Sequence, residues 1–167
     1  SKEEILKTSR ELIRRQGWSA VSIRSVAAGC GVSVGSIYNY FDSKTDLIGA
    51  TVESVWCEIF HRPEDDAVFQ DVQACVAWMY QRMAYGCERY PGFFTLHSLG
   101  FLREDKTAGK QRMQQTWQHI LAGLCSVLKQ DVRIRPDAFT EQFTAEKFAD
   151  VRFSQMLSAL LRQDYDP

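Results

Sequence analysis

No apolar stretch of the chain approaches the roughly 18 residues that a membrane-spanning helix needs, so no span and no membrane partner are expected. Cysteine offers no framework either. The five cysteines, at positions 30, 57, 75, 87 and 125, are odd in number and contain no CxxC pair. Scattered thiols of this kind fit a reducing cytoplasm better than a disulfide scaffold. The three histidines, His61, His97 and His119, have no metal-like spacing with them, so no metal and no cofactor are expected. Also missing are GxSxG, HExxH, P-loop and dinucleotide fingerprints, which argues against an enzyme. The opening residues Ser1–Glu4 are polar and carry no signal-peptide pattern. Strand-like alternation of useful length, internal repeats and low-complexity segments are absent as well.

What is present is a helical chain with enough apolar material to fold. Of 167 residues, 45% are hydrophobic and 25% charged, the balance of a globular protein with a buried core. Net charge is −1, but it is unevenly spread. Residues 1–50 hold seven Lys/Arg against five Asp/Glu, and residues 51–167 hold thirteen against sixteen. The slight basic bias at the N-terminal end keeps a nucleic-acid partner open.

Helical spacing and cap residues place the elements. Ile5, Leu6, Leu12 and Ile13 share a face over 3–16, with Ser9 in the gap, a Ser1/Glu4 capping box in front and Gly17 behind. Ser22 caps a short helix to about Gly29, Cys30-Gly31-Val32 is a tight turn, and Ser33 caps a second short helix through Tyr40. Ser43 with Asp46 starts a helix to about Phe60. The polar segment 61–66 leads to a long helix over 67–90, closed by Pro91-Gly92. A short aromatic-rich helix over 93–102 follows, and then two helices over 111–130 and 144–162 with broad apolar stripes. The fold class expected is all-α: a trihelical helix-turn-helix domain over 1–46 and a helical bundle over 47–167.

Two short helices about a glycine-centred turn, behind a longer helix, have the layout of a trihelical DNA-binding unit whose second helix enters the major groove, and on spacing alone equally that of two packed helices in a bundle. The stretch Val26-Ala27-Ala28-Gly29-Cys30-Gly31-Val32-Ser33-Val34-Gly35-Ser36-Ile37-Tyr38-Asn39-Tyr40-Phe41-Asp42-Ser43-Lys44 resembles the signature of the TetR family of bacterial transcriptional regulators. The likeness extends over about residues 5–48; the rest matches only in helical layout. It implies DNA contacts from Ser22, Arg24, Ser33, Val34, Gly35, Ser36, Tyr38, Asn39, Tyr40 and Lys44. Ser22, Ser33, Tyr38 and Lys44 would hold phosphates, while Val34, Gly35, Ser36 and Asn39 would lie nearest the bases, with Tyr40 at the groove wall. Arg24 is a phosphate or minor-groove candidate. Val34 departs from the family, which often has Lys or Arg there. Gly29, near the end of the first motif helix, costs about 1 kcal/mol of helix propensity relative to Ala.

The resemblance also implies a repressor of the nucleoid-bearing cytoplasm that binds a palindromic operator in double-stranded DNA as a homodimer and is released by a small-molecule effector. The last two helices are the candidate dimer surface, through Trp117, Leu121, Leu124, Leu128, Phe148, Met156, Leu157 and Leu160; the same stripes would equally close the protomer's own core. Large soft side chains over 67–130 mark a candidate effector pocket: Trp78, Met79, Met83, Tyr85, Phe93, Phe94, His97, Phe101 and Trp117. Plain core is the alternative for them.

Overall fold

The computed structural model describes residues 1–61, 63–64, 66–93 and 108–164. All regular structure among them is helical: α1 (Lys2–Gln16), α2 (Ile23–Cys30), α3 (Val34–Tyr38), α4 (Lys44–Ile59), α5 (Val72–Arg89), α6 (Ala108–Gln130) and α7 (Ala145–Leu161), with 3-10 turns at Trp18–Ala20 and Asp66–Phe69. No helix among the described residues is long and apolar enough to cross a membrane. The expected helix over 93–102, and with it Phe94, His97 and Phe101, lies outside the described residues apart from Phe93.

Side-chain caps set most helix starts. Ser1 and Glu4 form the capping box of α1, Ser22 and Ser25 form that of α2, and Thr144 accepts the Lys147 N–H to open α7. The long helix expected from residue 67 is instead broken at Gln70–Asp71. The Asp71 carboxylate accepts the Ala74 N–H at 3.0 Å, and the Val72 N–H is taken by Asp131, 59 residues away, at 2.9 Å. A local cap supported by a distant acceptor wins over continuation of the helix.

The chain divides into two compact units. The first comprises the described residues of Ser1–Ile59 and Gly86–Met113, the second those of Phe60–Tyr85 and from Gln114 on. These units do not coincide with the expected boundary at residues 46 and 47. In the first unit α1 packs on α2 and α4, and α2 on α3. α4 buries Leu47, Ala50, Val52, Val55, Trp56 and Ile59, nearly its whole circumference, and so joins this unit. Phe93 lies at its centre, with ring centroids 5.6 Å from Trp18 and 5.7 Å from Trp56. Each large side chain removed from water here stabilises the fold by about 1.5–3 kcal/mol.

A polar cluster closes the same unit. Glu58 on α4 accepts from Arg89 Nε at 2.7 Å and Tyr90 Oη at 2.6 Å, and pairs with Arg10 of α1 at 3.2 Å. Partial burial opposes the Glu58 charge, but the Tyr90 and Arg89 hydrogen bonds and the neighbouring guanidinium charges outweigh it and hold the carboxyl below its usual range.

In the second unit Cys75, Met79, Met83, Leu124, Leu128, Phe153, Met156 and Leu160 are buried. Trp117 of α6 meets Phe153 of α7 edge-on at 5.9 Å. The loop after α6 is held by Arg133, which bridges Asp131 at 2.8 Å and Asp71 at 2.6 Å. Four of the expected dimer residues, Leu124, Leu128, Met156 and Leu160, are thus committed to the protomer's own core, each at most 4% exposed. Broad apolar stripes on two neighbouring helices point inward first, and only what is left over can meet a second copy.

Candidate nucleic-acid interface and ligand cavity

The first site grows from two glycines and two serines. Gly31 ends α2 in the left-handed region (φ 66°, ψ 32°), a conformation that costs a side-chain-bearing residue about 1 kcal/mol or more. Val32 then donates back to the Ala27 carbonyl at 3.0 Å, which turns the chain sharply into α3. Gly29 has a different reason to be glycine: a Cβ there would fall 2.7 Å from Thr8 Cγ2 on α1. Its absence lets α2 lie against α1. Ser33 accepts the Ser36 N–H at 3.1 Å, and the two hydroxyl oxygens lie 2.9 Å apart.

Ile37 and Phe41 are fully buried and fix which face of α3 points inward. Helical geometry then puts Gly35 and Asn39 outermost, with Val34 and Tyr38 along one flank. Arg24, Ser33, Val34, Gly35, Tyr38, Asn39, Tyr40 and Lys44 are all exposed, while Ser22 and Ser36 are half-buried. Ser22 exchanges hydrogen bonds with Ser25 at 3.0 and 2.9 Å. Lys44 opens α4, where Ser43 accepts the Asp46 N–H at 3.1 Å. All ten candidate DNA-contact residues therefore belong to one unit, and their surface carries basic residues (Arg24, Lys44) only at its edges.

The second site is a cavity of about 400 Å³ between α5 and α6, within the second unit. Phe60, Phe69, Cys75, Trp78 and Met79 line one side, and His119, Ile120, Gly123, Leu124, Ser126, Val127 and Gln130 line the other. Phe60 and Phe69 both meet Trp78 edge-on, at 6.1 and 5.5 Å. Burial pushes the Cys75 thiol up to about 11, so it stays protonated and acts as an apolar wall. Of the expected pocket residues, Trp78 and Met79 reach this cavity. Met83 is fully buried core, Tyr85 lies under the Arg82 guanidinium, Trp117 packs on Phe153, and Phe93 belongs to the core of the first unit. Phe60 and Phe69 were missed because each sits at the edge of an element, where helical periodicity gives no signal.

Comparison with known proteins agrees with this geometry. Residues 5–51 match the profile described as "Bacterial regulatory proteins, tetR family". The HTH-type transcriptional regulator YerO of Bacillus subtilis is 40% identical over 52 residues, 31% of this chain and 18% of YerO. The chain spans half or less of the curated relatives it matches, 18% and 50% of their lengths. Among solved structures, a TetR transcription regulator from Haloarcula marismortui superposes with a TM-score of 0.67 at 19% identity, over 98% of this chain and 88% of that one. FadR from Bacillus subtilis, in complex with stearoyl-CoA, gives 0.62 at 14% identity, over 98% and 89%.

The fold and the motif together define an all-α chain with an N-terminal helix-turn-helix of DNA-binding type. Its segment 5–51 is similar to the N-terminal segment of the tetR family of bacterial regulatory proteins.

Proposed function

We propose that this chain is a tetR-type transcriptional regulator, a repressor that binds a palindromic operator as a homodimer in the cytoplasm and is released by a small apolar effector. The observation that carries the DNA-reading part is the outward face of α3: Ile37 and Phe41 anchor it inward, leaving Val34, Gly35, Tyr38 and Asn39 at the surface. One such helix spans few base pairs, so two half-sites about 34–36 Å apart are needed for a specific complex. The residues left over for a dimer are the outer sides of the last two helices, where Val151 and Leu161 of α7 are more than half exposed. Trp117, Leu121, Phe148 and Leu157 on the same two helices are half-buried.

The effector reading rests on the cavity. Its described lining includes no Lys, Arg, Asp or Glu, and aromatic and aliphatic side chains dominate it. Such a wall favours an uncharged, flat or greasy molecule. FadR from Bacillus subtilis, which is similar in fold, was solved in complex with stearoyl-CoA. Occupation of the cavity would change the separation of the two recognition helices, and near-complete release requires about 5.5 kcal/mol of differential affinity between the two states.

The test is binding to random-sequence duplex DNA across a salt series. Affinity should fall steeply as salt rises, and Tyr38→Phe with Lys44→Ala should weaken it on every sequence and flatten the slope. Salt-independent binding, or a double variant indistinguishable from the parent, contradicts the reading.

A further inference from the structure

The recognition segment is short of charge and rich in exposed carbon. Eight large hydrophobic residues are exposed in the described chain, and four of them, Val32, Val34, Tyr38 and Tyr40, fall between residues 32 and 40. Scattered exposed apolar residues need no explanation, but half of them within nine residues make a patch. α3 itself, Val34–Tyr38, contains no Lys, Arg, Asp or Glu. Its one serine, Ser36, is paired with the cap residue Ser33: Ser33 takes the Ser36 N–H, and the two hydroxyl oxygens lie 2.9 Å apart. One of the two hydroxyl protons is used within this pair.

Val34 is 40% exposed and Tyr38 51%, and, four residues apart, they share one flank of α3. Between Val34 and Ser36 stands Gly35, where an added Cβ would meet nothing nearer than Ser33 Oγ at 3.7 Å. No side chain projects from that position to hold a surface away from the Val34 methyls. In the major groove the apolar group that a valine can match is the C5-methyl of thymine; the other bases offer hydrogen-bonding edges there.

We propose that Val34 is a specificity-determining residue that reads the C5-methyl of one thymine in each half-site. The proposal rests on the reading of α3 as the recognition helix. It follows that discrimination at this base pair is carried by carbon–carbon contact, which is insensitive to salt, while the phosphate contacts carry the salt dependence.

The probe is the duplex recovered by selecting binding sites from a random pool, with each thymine replaced in turn by deoxyuridine, which lacks only the methyl. One position per half-site should weaken the parent protein by about 3–5-fold, the worth of one buried methyl. Val34→Ala, a change at an exposed position, should bind the thymine and deoxyuridine duplexes equally. If no deoxyuridine is felt, or if the penalty persists in Val34→Ala, the inference falls while the regulator reading stands. If no duplex is enriched at all by folded protein, both fall.

Discussion

Thr8 and Gly29 show how a single methyl sets the geometry of the DNA-reading unit. Replacing Gly29 by Ala would improve helix propensity by about 1 kcal/mol, yet the new Cβ would lie 2.7 Å from Thr8 Cγ2. Overpacking of this kind costs about 1–3 kcal/mol, so Gly29→Ala should lower stability in urea titration. Adding Thr8→Ser, which removes the methyl and keeps the hydroxyl near Cys30, should restore most of the loss. If Gly29→Ala is stabilising by itself, the close approach of α1 and α2 is wrong. Glu58 is the other residue whose role is local and measurable. Its carboxylate is shared by Arg10, Arg89 and Tyr90, so Glu58→Gln should cost about 2 kcal/mol. The pKa of Glu58 is lowered on folding, so its contribution is complete above the ordinary glutamate value of about 4.3 and lost as pH falls through the lower folded value. The variant should therefore show a flatter decline of stability below about pH 4 than the parent.

Helix caps and inward faces were legible from local patterns because the forces that make them are local. Ser22, Ser33 and Ser43 each cap as their positions predict, and Ile37 and Phe41 face inward as their spacing requires. The start of α5 was not legible. Its break depends on Asp131 accepting the Val72 N–H from across 59 residues, and no window of neighbouring residues contains that fact. Asp131 is held well below the usual carboxylate range, chiefly by the Arg133 guanidinium and then by the Val72 and Arg133 backbone N–H groups. A depressed carboxylate stabilises at neutral pH and ceases to do so as acid protonates it. Asp131→Asn should therefore be less stable than the parent at pH 7, with the two converging in strong acid when followed by circular dichroism. The cavity was half legible: Trp78 and Met79 stand on the helical stripe, whereas Phe60 and Phe69 enter from element ends. Trp78→Ala should reduce effector response without changing operator affinity, and a loss of operator affinity by itself would show that Trp78 is structural.

At the scale of the whole molecule the proposed regulator is two copies of one chain. Apolar periodicity could not separate a stripe that closes the protomer from one that meets a partner, since both require the same residues at the same spacing. The structure assigns Leu124, Leu128, Met156 and Leu160 to the interior and leaves Val151 and Leu161 outside. Val151→Arg with Leu161→Arg should shift the protein from dimer to monomer in sedimentation and keep its helical spectrum. A double variant that remains dimeric would move the interface elsewhere. The N-terminal motif was the most legible part of the chain, because the turn at Gly31 and the anchors Ile37 and Phe41 constrain nearly every position between them. The central claim is that this motif reads DNA as one half of a symmetric pair. Selection of binding sites from random duplex DNA, with the mass of the resulting complex, tests it most directly. The expected result is an inverted-repeat consensus with half-sites about one helical turn, or a multiple of it, apart, bound by a dimer. Folded, dimeric protein that enriches no sequence, or a monomer bound to a single asymmetric site, would contradict it.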